Sequence, residues 1–327
     1  MGWGNKRVLV TGADGFIGSH LTEFLLNLNA RVRALSHYNS FNFWGHLEEF
    51  YRKYNNLEVV SGDIRDPFFC SEICRDIDIV FHLAALIPIP YSYIAPQSYV
   101  ETNVNGTLNM LEAAKKHKVK RFIHTSTSEV YGTALYTPID EKHPLQAQSP
   151  YSATKISADK LAQSFYLSFD LPVVIVRPFN TYGPRQSARA VIPTIIIQAL
   201  NGDSVKLGGL SPKRDFNYVL DTVRGFIRAA EVDEFIGEEV NVGSGEAHSI
   251  GDVVSVVEEI LGRKLDIVRD EARVRPANSE VMLLLCNADK IRAKGWGGTV
   301  PFREGIAKTI NWFSGHLMAY KPDMYNI

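Results

Sequence analysis

Short runs of apolar, mostly β-branched residues alternate along the chain with longer stretches in which apolar residues recur at helical spacing. Such alternation is typical of a parallel β-sheet with helices packed on its faces. Six strands are predicted, at residues 7–11, 31–35, 57–61, 79–83, 121–125 and 173–177, and the main helical stretches between them are 18–28, 102–118 and 151–168. The pattern therefore predicts the α/β fold class.

The regular alternation stops after the segment RPFN at residues 177–180, where prolines and glycines become frequent and the segments shorten. A chain of 327 residues is long enough for two lobes. We expect a first domain over residues 1–178 and a second, smaller one over residues 179–214 and 244–327. Residues 215–243 have the pattern of a helix followed by a strand, and we expect them to cross back to the first domain.

The composition narrows the class of partner. With 35 basic and 36 acidic residues the chain carries almost no net charge, which argues against a nucleic acid or a membrane surface as partner. The three cysteines, Cys70, Cys74 and Cys286, are too few and too scattered for a disulfide framework, and the first two have no partners at metal-ligand spacing. No apolar run approaches the ~20 residues of a membrane-spanning helix. We expect a cytoplasmic protein without a metal site.

A glycine-rich loop lies between the first predicted strand and the first helix, in the sequence TGADGFIGSH at residues 11–20. Gly12, Gly15 and Gly18 allow a tight turn, a close approach of backbone to a ligand, and close packing of helix on sheet. The free N–H groups at the start of the helix favour a pyrophosphate. The spacing G-x-x-G-x-x-G predicts a dinucleotide site, and a turn of purely structural origin remains the alternative.

Two further positions bear on the cofactor. Asp63, just beyond the third strand, is well placed to meet an adenine amino group. A site for NAD usually has an acidic residue at the end of the second strand to bind the ribose hydroxyls, whereas this chain has Ser36 and His37 there. Because no arginine stands at position 36 to hold a 2′-phosphate, the choice between NAD and NADP stays open.

Candidate chemistry lies in two segments of the first domain. Tyr151 and Lys155 are four residues apart in a helical stretch, so their side chains share a face, and a nearby ammonium favours the phenolate form of tyrosine. Thr127 and Glu129 follow the fifth strand and face the same side if the backbone stays extended. A Tyr-x-x-x-Lys pair is common by chance, and by itself it also fits a surface helix.

Seven motifs together resemble a known family. In chain order they are TGADGFIG, DIRD, HLAA at residues 82–85, TNVNGT at residues 102–107, TSTSEVYG, YSATK and RPFNTYGPRQ. The set is similar to the extended short-chain dehydrogenase/reductases that act on nucleotide sugars, and the resemblance spans nearly the whole chain. It implies a Rossmann-type doubly wound parallel sheet with a smaller mixed α/β substrate lobe, a tightly bound and recycled NAD or NADP, and a homodimer.

The resemblance also implies roles for residues. The catalytic set is Thr127, Ser128, Glu129, Tyr151 and Lys155. The cofactor contacts are Gly12, Gly15, Phe16, Ile17, Gly18, Ser36, His37, Asp63, Ile64, Leu83, Ala84, Ala85 and Asn103, with Tyr151 and Lys155 again. The residues that hold the nucleotide diphosphate are Asn180, Arg189, Arg214 and Arg275.

In such enzymes the cofactor oxidises C4 of the sugar while Tyr151 takes the hydroxyl proton, Thr127 orients the hydroxyl, and Lys155 holds the cofactor ribose and the phenolate. The 4-ketone acidifies the C5 hydrogen. Glu129 at its position can remove that proton, after which water leaves from C6 and the hydride of the cofactor returns to C6. The product is a 4-keto-6-deoxy sugar, with no net redox change.

The segment after the fifth strand bears on which reaction follows. The dTDP-glucose dehydratases carry Thr-Asp-Glu, whereas this chain has Thr-Ser-Glu, as GDP-mannose dehydratases and UDP-glucuronate decarboxylases do. The whole set most resembles the 4,6-dehydratases acting on UDP- or GDP-linked N-acetylglucosamine in legionaminic and pseudaminic acid pathways. The apolar segment 87–90 could seat an acetamido methyl group or pack structurally. A C4 or C5 epimerase, also on a 5,6-ene intermediate, and a decarboxylase remain alternatives.

Overall fold

The computed structural model describes residues 2–274, 276–321 and 324. Its strands are β1 (Arg7–Thr11), β2 (Arg31–His37), β3 (Leu57–Gly62), β4 (Ile79–His82), β5 (Arg121–Thr125), β6 (Val173–Pro178), β7 (Asn180–Tyr182), β8 (Ser204–Leu207), β9 (Lys213–Tyr218), β10 (Glu239–Val242), β11 (Ala247–Ser249), β12 (Asp266–Arg269) and β13 (Leu283–Leu284). Its α-helices are α1 (Phe16–Asn27), α2 (Pro67–Ile73), α3 (Ile89–Ile94), α4 (Pro96–Tyr99), α5 (Gly106–Lys116), α6 (Pro150–Phe169), α7 (Val191–Asn201), α8 (Val219–Glu231), α9 (Ile250–Leu261), α10 (Asp289–Arg292) and α11 (Phe302–His316).

The first six strands and β10 form one parallel sheet in the order β10-β6-β5-β4-β1-β2-β3. Both faces of this sheet are covered, because Val8 and Val10 of β1 belong to one apolar core while Leu9 belongs to another on the opposite face. Apolar runs buried on both sides are what a parallel sheet needs. The predicted α/β class with a doubly wound parallel sheet is confirmed.

The strand order reverses at β1, so loops leaving β1 and β4 diverge from neighbouring strand ends. Open α/β sheets bind ligands at such a point. Here the glycine loop follows β1 and the HLAA segment follows β4. The two loops are in close contact, because a Cβ at Gly12 would lie 2.9 Å from the backbone nitrogen of Ala84.

After β6 the chain leaves the large sheet and builds two small ones. Strands β7, β11 and β13 all pair with β9, and β12 pairs with β8. Helices α7, α9 and α11 cover them around a separate apolar core. Between these parts, α8 packs against α1, and β10 adds to the edge of the large sheet beside β6.

Two predicted helices differ from the observed ones. The first begins at Phe16, because Gly15 is extended and serves as its N-cap. The second, predicted over 102–118, begins with a π-helical turn at Val100–Asn105 and becomes α-helical only from Gly106. Within the described part of the chain, no helix combines the length and apolar character needed to cross a membrane.

Candidate active site

The glycine loop forms a cradle that only glycine can build. Gly12 has a φ of +66°, which favours glycine, and a Cβ at Gly18 would clash with the carbonyl group of Gly12. The N-cap Gly15 gives no side-chain cap, and no acidic residue lies in the first turn of α1. The N–H groups of that turn are therefore available to an anion, so the loop fits the pyrophosphate of a dinucleotide.

The other predicted cofactor residues surround this cradle. Phe16 and Ile17 are partly buried in the first turn of α1, and Ile64 is buried against Gly106. In the loop after β4, Leu83, Ala84 and Ala85 are partly buried, and the first two donate their N–H groups to Thr11 Oγ1, each at 3.1 Å.

Asp63 lies at the end of β3 and is engaged by a neighbour in its own loop. Arg65 donates from Nε to Asp63 Oδ2 at 2.9 Å, and His37 Nε2 lies 3.6 Å from the same oxygen. The hydrogen bond from Arg65 is the main reason why the pKa of Asp63 falls below its usual value. The carboxylate is thus held ionised at the mouth of the predicted adenosine site.

Asn103 acts as a clamp between three segments. Its side chain is buried, accepts from the Leu86 nitrogen at 2.8 Å, and donates to the Leu86 carbonyl at 2.9 Å and to Thr154 Oγ1 at 3.1 Å. The π-helical turn that carries Asn103 is thereby fixed to the loop after β4 and to α6. This bonding fits a residue that positions the site.

Tyr151 is placed by the start of α6. Ser149 and Ser152 form a capping box there, which fixes the first turn of the helix. The Tyr151 ring is buried and meets the ring of Tyr99 edge to face at 6.2 Å. Burial raises the pKa of Tyr151, a hydrogen bond with Thr127 opposes the rise, and the charge of Glu129 adds to it.

The segment after β5 brings a hydroxyl and a carboxylate to this phenol. The backbone is extended at Thr127 and then turns, because Thr127 Oγ1 accepts from the Glu129 nitrogen at 3.2 Å and caps the turn Ser128–Tyr131. The extended backbone assumed from the sequence therefore ends at Thr127. Both side chains nevertheless act on Tyr151. The Ser128 side chain is buried.

The Glu129 carboxylate is partly exposed and makes no hydrogen bond or ion pair with any residue that the structure describes. A carboxylate without a structural partner beside a buried phenol is available to a ligand. The site therefore brings together two groups that can transfer protons. The Glu129 carboxylate is a candidate acid or base, and the Tyr151 phenol is a candidate proton acceptor.

Lys155 lies one turn after Tyr151 and is also buried. Its ammonium donates to the Thr125 carbonyl at 2.6 Å. Burial lowers the pKa of Lys155 to about 8, and the negative charge of Asp159 partly offsets this. Lys155 therefore begins to lose its positive charge at a pH only slightly above neutral.

The reasoning from sequence missed Asp159, one further turn along α6. The carboxylate is buried, accepts from Ser126 Oγ at 2.8 Å and Arg177 Nη2 at 3.1 Å, and lies 3.2 Å from His124 Nε2. The spacing of Tyr151, Lys155 and Asp159 by four residues each was a signal that could have found it.

Three of the four predicted diphosphate residues lie where the second lobe begins or in its small sheet. Asn180 Oδ1 is buried and has no hydrogen-bond partner among the described residues. Arg189 is exposed and donates from Nε to Ser187 Oγ at 3.3 Å, and its charge opposes the burial that raises the pKa of Tyr99 to about 12. Arg275 lies outside the described residues.

Arg214 is buried in β9 and donates from Nη2 to Glu280 Oε1 at 2.9 Å. The same short segment crosses to the first lobe, because Ser279 Oγ lies 2.5 Å from the Tyr93 hydroxyl and donates to the Gln148 carbonyl at 2.8 Å. The segment therefore connects α3 with the loop just before α6, the helix that carries Tyr151. Among the described residues, no three His, Cys, Asp or Glu side chains are grouped as a metal would need.

Comparison with known proteins shows the family of the chain. A family model described as GDP-mannose 4,6 dehydratase matches residues 9–309. The chain is 33% identical to dTDP-D-glucose 4,6-dehydratase of Homo sapiens, over 97% of this chain and 92% of that one. It is 30% identical to UDP-glucuronic acid decarboxylase 1 of Xenopus tropicalis, over 98% of this chain and 75% of that one.

Among solved structures, the fold matches UDP-glucuronic acid 4-epimerase from Bacillus cereus in complex with UDP-glucuronic acid and NAD. The TM-score is 0.88 at 31% identity, and the match covers 95% of this chain and 99% of that chain. Other structural neighbours also hold NAD. The cofactor of this fold is therefore of the NAD type, and its neighbours act on sugars carried by nucleotides.

Proposed function

The chain belongs to the GDP-mannose 4,6-dehydratase family, and from that premise we propose that it is a 4,6-dehydratase of UDP- or GDP-linked N-acetylglucosamine. The product is the 4-keto-6-deoxy sugar. One observation carries the proposal: the Glu129 carboxylate acts on buried Tyr151 and has no partner among the described residues. A 4-epimerase needs no such group, because its 4-keto intermediate only rotates in the site before it is reduced again on the other face.

The residues divide the first step between them. NAD held by the glycine cradle would supply reversible hydride transfer, taking hydride from C4 of the sugar and giving it to C6 after water has left. Tyr151 accepts the proton of the C4 hydroxyl, and Thr127, whose hydroxyl lowers the pKa of this phenol, orients the C4 hydroxyl. Lys155, one helical turn after Tyr151, is proposed to supply the positive charge that favours the phenolate. In the structure its ammonium donates to the Thr125 carbonyl.

Glu129 performs the elimination. The C4 ketone makes the C5 hydrogen acidic, and the carboxylate takes it as a proton while the electron pair of the C5–H bond forms the C5–C6 double bond. The C6 hydroxyl leaves as water after it receives a proton from the same carboxyl group. Hydride from the reduced cofactor would then add to C6 while C5 takes a proton from solvent, which gives the 4-keto-6-deoxy sugar. Because Glu129 both accepts and donates the proton, the mechanism needs no aspartic acid at position 128. The Ser128 hydroxyl could not serve as that acid, since it is buried and far too weak.

Features near the site support a nucleotide-linked amino sugar. Asn180, whose Oδ1 has no described partner, Arg189 and Arg214 are proposed to hold the diphosphate. Arg275 is proposed for the same role from the resemblance alone. Ile87, with 61% of its surface exposed, follows the Leu86 loop that packs on Tyr151 and offers an apolar contact to the acetamido methyl group.

The proposal is tested by the mass of the product. Purified protein is incubated separately with UDP-N-acetylglucosamine, GDP-N-acetylglucosamine and UDP-glucuronate, and products are analysed by mass spectrometry. We expect loss of one water from an N-acetylglucosamine nucleotide. Loss of carbon dioxide from UDP-glucuronate without any dehydration would assign the decarboxylase, and a product of unchanged mass would assign an epimerase. Tyr151→Phe is the negative control in every arm.

A further inference from the structure

The end of β2 holds a carboxylate that does not belong to β2. The residues there, Ser36 and His37, carry no acid. Asp14 reaches this point from the middle of the glycine loop, and its Oδ2 accepts from Ser36 Oγ at 3.0 Å and from the His37 backbone nitrogen at 3.1 Å. A negative charge is therefore fixed at the strand end where dinucleotide sites read the ribose of the adenosine half.

The packing around Asp14 holds it in place. Ser36 is fully buried, so its hydroxyl is committed to the carboxylate. From the other side, Gly45, with a φ of +57°, approaches so closely that a Cβ there would lie 2.8 Å from the Asp14 carbonyl, and His46 donates its N–H to that carbonyl at 3.3 Å. Asp14 Oδ1, in contrast, makes no hydrogen bond with the residues described by the structure.

The neighbouring charges do not cancel this carboxylate. Arg65 donates to Asp63, and His37 turns its ring toward the same carboxylate at 3.6 Å. The Arg65 guanidinium is thus directed to Asp63, whereas both hydrogen bonds that Asp14 accepts come from uncharged donors. Among the residues that the structure describes, no lysine or arginine forms an ion pair with Asp14, so its negative charge is not paired there.

We propose that Asp14 selects NAD against NADP, replacing from the glycine loop the acidic residue that β2 lacks. Its unengaged oxygen is an acceptor for a ribose hydroxyl, and its charge opposes a 2′-phosphate brought to the same place. The inference goes beyond the proposed reaction. It concerns only the cofactor lobe, so it holds or fails whatever the sugar substrate is.

The test measures which cofactor the full-length protein retains. Wild type and variants are equilibrated with equal concentrations of NAD and NADP, separated from free nucleotide, and denatured, and the released dinucleotides are quantified by mass spectrometry. Wild type should retain NAD in at least about tenfold excess. Asp14→Asn, which removes the charge and replaces one acceptor oxygen with a donor, should lower the ratio of bound NAD to NADP by about tenfold. No turnover is needed.

Two further variants define the outcome. Asp14→Ser also removes the charge and gives a second measurement if Asp14→Asn does not fold, as judged by circular dichroism. Asp266→Asn, in the distant β12, also removes one carboxylate and should match wild type. The proposal is overturned if wild type retains NADP, or if Asp14→Asn and Asp14→Ser keep the wild-type ratio.

Discussion

At the scale of single residues, the site is defined by Thr127, Glu129 and Tyr151, whose side chains differ in how they interact with their neighbours. The Thr127 hydroxyl lowers the pKa of the Tyr151 phenol, while the charge of Glu129 raises it. A side chain that is near a reaction partner but free of structural bonds can be changed with little effect on folding. Glu129 is therefore the residue at which chemistry and stability can be separated.

Replacing Glu129 with glutamine should stop the reaction after C4 oxidation. Gln keeps the size of the side chain but cannot take the C5 proton, so reduced cofactor should accumulate with UDP-N-acetylglucosamine, and dehydration should slow by roughly 10²- to 10⁴-fold. Near-ultraviolet absorbance of the reduced nicotinamide measures this. Glu112→Gln, on the exposed surface of α5, is the matched control. Dehydration at the normal rate by Glu129→Gln would remove this residue from the mechanism.

Replacing Tyr151 with phenylalanine should block the step before. Without the phenol nothing takes the C4 hydroxyl proton, so the rate of cofactor reduction should fall by roughly 10²- to 10⁴-fold and no reduced nicotinamide should accumulate. Rapid-mixing absorbance distinguishes this result from that of Glu129→Gln. Tyr166→Phe, on the same helix, should behave as wild type. Undiminished cofactor reduction in the Tyr151 variant would contradict the assignment.

At the scale of elements, α6 carries a line of ionisable groups into the first lobe. Tyr151, Lys155 and Asp159 follow one another at four-residue spacing and are all buried. Asp159 opposes the effect of burial on Lys155, and Arg177 and Ser126 hold Asp159 in turn. Asp159 is thus a positioning residue that acts through Lys155.

The pH profile should reveal that coupling. The pKa of Lys155 is lowered to about 8, so its positive charge, and with it the activity, should decline as the pH rises through that region. Asp159→Asn removes the charge that keeps this pKa from falling further, so the alkaline limb of kcat should move to lower pH. Ser126→Ala, which removes one hydrogen bond and no charge, should leave the limb in place. A limb unchanged in Asp159→Asn would refute the coupling.

Much of the element pattern could be predicted from the sequence. β1 and β5 have the predicted bounds, because their apolar runs end at polar residues on both sides. The π-helical turn at Val100–Asn105 could not be predicted, since it depends on the bonds of Asn103 to Leu86 and Thr154. The turn after Thr127 was missed because a single side-chain cap decides it.

At the scale of the whole molecule, the second lobe is tied to the first by Arg185. This residue lies in the loop between β7 and α7, donates from Nη2 to Glu23 Oε2 of α1 at 2.9 Å, and sits 4.9 Å above the Phe50 ring. Burial lowers the pKa of His20 to about 3, so its ring stays neutral and donates to the Pro184 carbonyl at 2.9 Å beside it. The same loop is thus held at two points.

Arg185→Met should therefore destabilise the whole fold. The change keeps an apolar stem but removes the charged hydrogen bond to a partly buried carboxylate, which should cost about 1.5–3 kcal/mol of the free energy of unfolding. Chemical denaturation measures it. Arg303→Met breaks an exposed ion pair with Glu259 and should cost far less. Equal losses in both variants would show that Arg185 does not tie the lobes together.

Only part of the candidate site could be predicted from the sequence. Motifs local in sequence, such as Tyr151 with Lys155, could be read directly. Asp14 could not, because its role depends on a contact with Ser36 that is 22 residues away and forms only when the glycine loop meets the end of β2. The bond of Arg214 to Glu280 likewise joins segments 66 residues apart. Long-range packing, which no local pattern encodes, decides both.

The central claim is that Glu129 removes the C5 proton of a 4-keto nucleotide sugar. The most direct measurement is the mass and NMR spectrum of the product formed from UDP-N-acetylglucosamine in deuterium oxide, by wild type and by Glu129→Gln. Wild type should give a product that has lost one water and carries solvent deuterium at C5, and Glu129→Gln should give neither change. A wild-type product of unchanged mass without solvent deuterium would contradict the account.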